Sequence, residues 1–398
     1  MVLSGLFPVF SFIDEILLIT FFISVLSYGF VGLMYGRIYQ WFLFLFIYLL
    51  IQFINYYFSP FGLNLFYVLA QSIISVKLFL GILFAYILIK EGLINKKLID
   101  FMWISIVLLF IIGILSNWII GESWNNYFTD RIRYRYGILR PVGIFGDVGV
   151  NGYLFSLFFI TYVLSFRYKY KNIITSKKGL SIVVLNLIAS FVLTLRKNLL
   201  MVIPVFFSFI KGLKGISKLF GLLLASFFIF FMVFIAYKLG LVDDVYNGMI
   251  DDQSSYIRGL MFVNGFSLMF EFFPLGVGSG TFGTFMSNYQ TLEVYEYVGI
   301  NLRSYTNADG SLRGIYDSGL SSFVAENGFL GLLIISGFIY NMNRSFSKLL
   351  HANSYKIYLI LISFTLILSF SEPVIQSGFY TTFFMVNLLK VCVNQTKV

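Results

Sequence analysis

The residues able to do chemistry in this chain are arginines and carboxylates set at the edges of apolar runs. Arg140 opens RPVGIFGDVGVNG, a glycine-punctuated turn carrying Asp147, and an apolar run follows directly. Arg196 and Lys197 stand together in LTLRKNLLM, between two further apolar runs, and Arg258 lies near the start of SYIRGLMFVNGFSLMFEFF. A guanidinium keeps its charge at any accessible pH and grips phosphate through two parallel hydrogen bonds, whereas lysine offers a point charge. These positions therefore fit recognition of a diphosphate. The plainer readings are that several arginines pair with nearby carboxylates, that Arg196 and Lys197 anchor a hairpin to lipid headgroups, and that RPVG only starts the next helix.

Two carboxylates complete the set. Asp317 and Glu326 lie in YDSGLSSFVAENGFLGLL, which leads into an apolar run, and a carboxylate at a membrane face is costly unless it is used or paired. Each is therefore a candidate site residue. Lys77 sits in the middle of LAQSIISVKLFLGILFAYIL, too deep to snorkel with ease, so it faces a wet cavity, a ligand or a structural partner. In PLGVGSGTFGTF, Gly276 and Gly278 let the backbone approach a ligand closely, although such a pattern alone is loose. The lone Cys392 forms no intramolecular disulfide, and it and His351 read as a packing residue and a loop residue. With no Asp-x-Asp, no metal is demanded, and no cofactor is expected.

The elements that must position these residues are membrane helices. The chain is 59% hydrophobic and 12% charged, with a mean hydropathy of +0.88, and its apolar residues come in runs long enough to cross a bilayer as helices. The fold class expected is an all-α polytopic integral membrane protein with about eleven transmembrane helices (ten to twelve) and one long external loop containing short amphipathic helices. Expected spans are 17–36, 38–58, 63–89, 101–120, 149–166, 180–195, 198–210, 219–237, 328–340, 357–370 and 374–391. They divide the chain into a membrane region over 1–240, a large loop over 241–325 and membrane helices over 326–398. The stretch from Met1 to Glu15 carries no basic cluster, so no cleavable leader is expected.

Lysine sets the orientation. KEGLINKK, RYKYKNIITSKK, KGLKGISK and NRSFSKLLHANSYK are separated by even numbers of expected spans, so all four fit the cytoplasmic side. Eight arginines then fall outside, at 131, 133, 135, 140, 196, 258, 303 and 313, against the usual bias. The net charge of +10 is mostly cytoplasmic lysine, suited to an anionic leaflet, and implies no nucleic-acid partner.

Three stretches in order, RPVGIFGDVGVNG, SYIRGLMFVNGFSLMFEFFPLGVGSGTF and SGLSSFVAENGFLGLLI, resemble the bacterial O-antigen polymerase and O-antigen ligase superfamily. They make up a minor part of the chain; the rest agrees in expected topology only. The resemblance implies a polytopic inner-membrane glycosyltransferase with one large periplasmic loop. Ligases of this family resemble one another in a histidine near the position of IYDSGL, where this chain has Asp317, and its only histidine is expected to be cytoplasmic. That departure favours a polymerase. Polymerases of the family are similar in paired Arg-x10-Gly segments, which Arg135 to Gly146 and Arg303 to Gly314 match loosely.

The reaction so implied transfers a growing glycan from undecaprenyl diphosphate to a sugar hydroxyl of the next lipid-linked repeat unit. Membrane lipids and those repeat units are the expected partners, with a chain-length regulator protein as an optional one. Arg140, Arg196 and Arg258 would hold the diphosphate, and Asp317, or as second choice Glu326, would take the proton from the attacking hydroxyl. The alternatives are an O-antigen ligase-type transferase, a flippase or transporter of lipid-linked oligosaccharide, and a sensor or scaffold.

Overall fold

In a computed structural model of the protein, the described residues are 38–128, 134–135, 138–144, 148–170, 257–305, 315–317, 319–369 and 372–393, with isolated positions 23 and 27. The spans expected at 180–195, 198–210 and 219–237 lie outside them, as does nearly all of 17–36.

The described chain is helical apart from one antiparallel pair of two-residue strands, β1 (Tyr134–Arg135) and β2 (Ile138–Leu139). Helix α1 spans Ile38–Phe58, α2 Leu65–Ser75, α3 Lys77–Lys90, α4 Lys96–Ile120, α5 Glu122–Phe128 and α6 Val148–Tyr170. After the long undescribed segment come α7 (Ile257–Glu271), the short α8 (Ser287–Gln290) and α9 (Glu293–Tyr297), then α10 (Gly319–Leu349), α11 (Ala352–Leu368) and α12 (Gly378–Val393). Among the described residues, α4 and α10 are long and apolar enough to cross a membrane, and α2 with α3 makes a third if that bent pair is one span. The apolar helices fit membrane association.

Local chemistry explains several boundaries. Asn64 caps α2 by accepting from Phe66 N, and Asn95 caps α4 by accepting from Leu98 N at 3.3 Å. One expected span needs correction: 63–89 is not a single helix, but breaks at Val76 with a bend of 49° between α2 and α3. There the Leu78 amide donates across the bundle to Ile375 O at 3.4 Å, and the Val76 amide bonds three positions back to Ile73 O. Lys77 is therefore buried at a helix break rather than mid-helix. A second correction concerns the span expected at 328–340. A first helical piece runs from Gly319 to the kink at Gly328, where the expected helix does start, and the second piece continues past Tyr340 to Leu349.

Two apolar clusters result. The larger fills the bundle, where Trp41, Tyr48, Phe338, Phe346, Tyr358, Tyr380 and Phe384 are all buried. The smaller joins Phe61, Met261, Leu268, Val277, Phe282, Tyr295, Ile315 and Ala325. It binds α7, the glycine-rich loop and the first turns of α10 into a cap at one end of the helices. Helix α7 packs along α10 so closely that a side chain at Gly265 would meet Ser321 O at 2.7 Å. At the opposite end, Lys390 of α12 pairs with Asp100 of α4 at 2.5 Å, and Trp103 donates to Asn387.

Candidate functional site

The cap is organised by the kink in α10. At Gly328 the backbone takes a left-handed conformation (φ 60°), which ends the regular helical bonding of the turn before it. The glycine-rich loop supplies what the kink leaves open. Val277 N donates to Ala325 O at 2.9 Å, Gly278 N to Glu326 O at 3.1 Å, and Leu330 N returns a bond to Pro274 O at 3.1 Å. Gly276 marks the crossing point, because a Cβ there would stand 2.5 Å from Gly328 N. A loop segment is thus hydrogen-bonded into a broken helix almost as a strand would be.

Glu326 locks this junction. Fully buried, it accepts at Oε1 from Thr281 N (2.9 Å), Phe282 N (3.1 Å) and Thr284 Oγ1 (2.7 Å). Three donors on one carboxylate oxygen make the strongest kind of loop clamp, since bonds to a carboxylate exceed those to a neutral group. The next amide, Gly283 N, donates to the Tyr295 hydroxyl at 2.7 Å, which also contacts Ser287 Oγ at 3.0 Å. The amides of Gly276, Val277, Gly278, Thr281, Phe282 and Gly283 are therefore all engaged within the protein. Helix α1 fastens the outer side. Asn55 Nδ2 donates to Leu275 O and Glu326 O, Ser59 Oγ to Val277 O, and Tyr48 to Asn327 Oδ1.

The Arg140 turn is pinned by different chemistry. Asn117, in the last turn of α4, accepts from Val142 N (2.8 Å) and Gly143 N (3.3 Å). Trp124 Nε1 donates to Gly143 O at 3.0 Å, Asn151 Nδ2 to Pro141 O at 3.1 Å, and Asn125 Nδ2 to Arg140 O at 3.4 Å. Arg140 itself is partly exposed beyond these anchors.

The remaining predicted residues can be placed as follows. Arg258 stands in the first turn of α7, Arg303 in the 3-10 turn Leu302–Tyr305, Asp317 at the end of the 3-10 turn Ile315–Asp317, and Arg135 in β1. Helix α7 packs on the turn that ends in Asp317, so the elements carrying Arg258 and Asp317 are neighbours. Burial pushes the adjacent Tyr316 hydroxyl up to about 12, so it stays protonated at neutral pH. Arg196, Lys197 and Asp147 lie outside the described residues, as do Gly146, Arg313 and Gly314. Helix α6 and the start of α10 both meet the region around Ser369, Glu372 and Tyr380. Tyr153 of α6 packs on Tyr380 at 5.1 Å, Leu320 N donates to Ser369 O, and a side chain at Gly319 would meet Glu372 O at 2.8 Å.

Sequence reasoning missed the amides that hold both turns. Gln52 and Asn55 near the end of α1, with Ser59 just past it, recur at helical spacing, a pattern that was readable. Asn117, Asn125 and Asn151 are isolated, and nothing around them marks their partners. No family model and no curated protein matches this chain.

Proposed function

We propose that this chain is a polymerase of lipid-linked glycans, a multi-pass protein of about eleven spans in the bacterial inner membrane working at its periplasmic face. The observation that carries the reading is the union of two resembling stretches. The glycine-rich loop and the Glu326 segment are distant in sequence, with Thr281 and Glu326 separated by 45 positions. They are nonetheless interlocked at one end of the bundle, beside the elements bearing Arg258 and Asp317.

In the proposed reaction the bond between the sugar anomeric carbon and the diphosphate oxygen breaks, and a bond to the acceptor hydroxyl oxygen forms. The acceptor proton passes to Asp317, and the departing diphosphate is held by guanidinium groups from Arg140, Arg196 and Arg258, with Lys77, Lys197, Arg135 and Arg303 as further candidates. Asp147 is assigned to sugar hydroxyls. Glu326 is better suited to holding the loop than to taking the proton, because its Oε1 is committed to three donors in a fully buried position.

The test is purified chain in lipid with undecaprenyl-diphosphate-linked repeat units. Longer glycans on the same lipid support polymerisation; movement across the bilayer without new linkage means a transporter, and transfer only to a lipid-A-type acceptor means a ligase. Asp317→Asn should abolish polymer while leaving lipid-linked substrate bound, and retained polymerisation would remove Asp317 from the base role.

A further inference from the structure

The clamp around Glu326 leaves buried oxygens with nothing to accept. Oε1 of Glu326 takes three donors, but Oε2 has no hydrogen-bond partner among the described residues, and the same holds for Asn55 Oδ1, Gln71 Oε1 and Gln290 Oε1. Gln52 adds an unmatched Nε2. Glu326, Gln52, Asn55 and Gln71 are all at most 1% exposed, so water outside the bundle does not reach them. Leaving such groups unmet costs roughly 1–3 kcal/mol each.

Several of these residues share a hydrogen-bond network, and Asn55 reaches the Glu326 backbone oxygen. Ser279 Oγ donates to Gln52 Oε1 at 2.7 Å, and Gln290 Nε2 donates to Ser279 O at 3.0 Å. Gln71 Nε2 donates to Ser75 Oγ at 3.1 Å, and the Tyr48 hydroxyl lies within reach of both Ser75 and Ser279. The α2 arm and the loop arm therefore meet at Tyr48. Turning the Gln52 amide over keeps its contact with the Ser279 hydroxyl and makes its unmatched atom an oxygen as well.

A set of unmet oxygens calls for positive charge. A water donates only two hydrogens, and a proton on Glu326 satisfies one position, whereas a cation meets several oxygens at once. One carboxylate among neutral amides fits a monovalent ion; calcium sites gather more carboxylates, and magnesium keeps its waters. The junction also lies between two helix breaks, at Val76 and at Gly328, and discontinuous helices are how membrane transporters build sodium sites.

We propose that this junction binds a sodium ion, with Glu326 Oε2 as its charged ligand and the side-chain oxygens of Asn55, Gln71 and Gln290 as its neutral ones. The ion braces the glycine-rich loop against α1 and α2. The site stands apart from the polymerase reading, since it is argued from unmet oxygens and helix breaks alone.

The experiment is thermal unfolding of the purified full chain in sodium, potassium and choline chloride at equal ionic strength, with radioactive sodium binding measured in parallel. Sodium should raise the melting temperature saturably above the other two salts and bind stoichiometrically. Glu326→Gln should lose the sodium-specific rise. Gln71→Leu, which leaves all three Oε1 bonds intact, should shift the half-effect to higher sodium. Identical melting curves in the three salts, with no bound sodium in the unsubstituted chain, overturn the proposal.

Discussion

Two glycine-punctuated turns stand out in this molecule, and they are held by opposite strategies. The loop at 274–285 is fixed from a distance, by a carboxylate 42 to 45 positions away and by the exposed bonding groups of a kinked helix. The turn at 140–144 is fixed by neutral side-chain amides from the three helices that immediately flank it in sequence. A single ionic clamp concentrates stability in one residue, whereas several neutral bonds spread it. The first turn should therefore fail abruptly and the second gradually.

The sharpest way to break the comparison is Glu326→Ala. It strands two amides and a hydroxyl in a buried site, and we expect a loss of about 4 kcal/mol, read as a collapse of folded yield in detergent extracts. Gly276→Ala should follow at about 3 kcal/mol, because its left-handed backbone and its approach to the Gly328 amide both penalise a Cβ; limited proteolysis of the 274–285 loop would report it. Asn117→Ala removes the acceptor for two amides of the other turn, for about 2 kcal/mol, measured by thermal unfolding. Trp124→Phe keeps an aromatic ring and loses one hydrogen bond, so about 1 kcal/mol is expected in the same assay. If the two variants at the Arg140 turn proved costlier than the two loop variants, the contrast between clamp and spread bonds would be reversed.

Much of the helical framework was readable in the sequence. The span expected at 38–58 coincides with α1, and that expected at 101–120 ends with α4 at Ile120. Long apolar runs admit few conformations in a bilayer, so their existence follows from composition. What stayed hidden were the breaks. IISVKLF carries no proline or glycine, yet the helix bends at Val76 because the Leu78 amide finds a partner in a distant segment. At 319–349 the apolar count placed a start at Gly328, where the kink does open a helical piece, but it missed the helical turns from Gly319 that precede it. Asp317 and Arg258 could be named as candidates from their settings, but the partnership of Glu326 with Thr281, Phe282 and Thr284 depends on a contact between segments that no local pattern records.

The ion pair at the far end of the bundle has a bearing on biogenesis. Asp100 precedes its partner Lys390 by 290 positions, and synthesis at roughly 5–20 residues per second separates their emergence by about 15–60 s. Until α12 is made, Asp100 lacks this partner. Docking of α12 against α4 is then a late step for the nascent chain, and ribosomes halted before Lys390 should leave a product that quality-control proteases recognise.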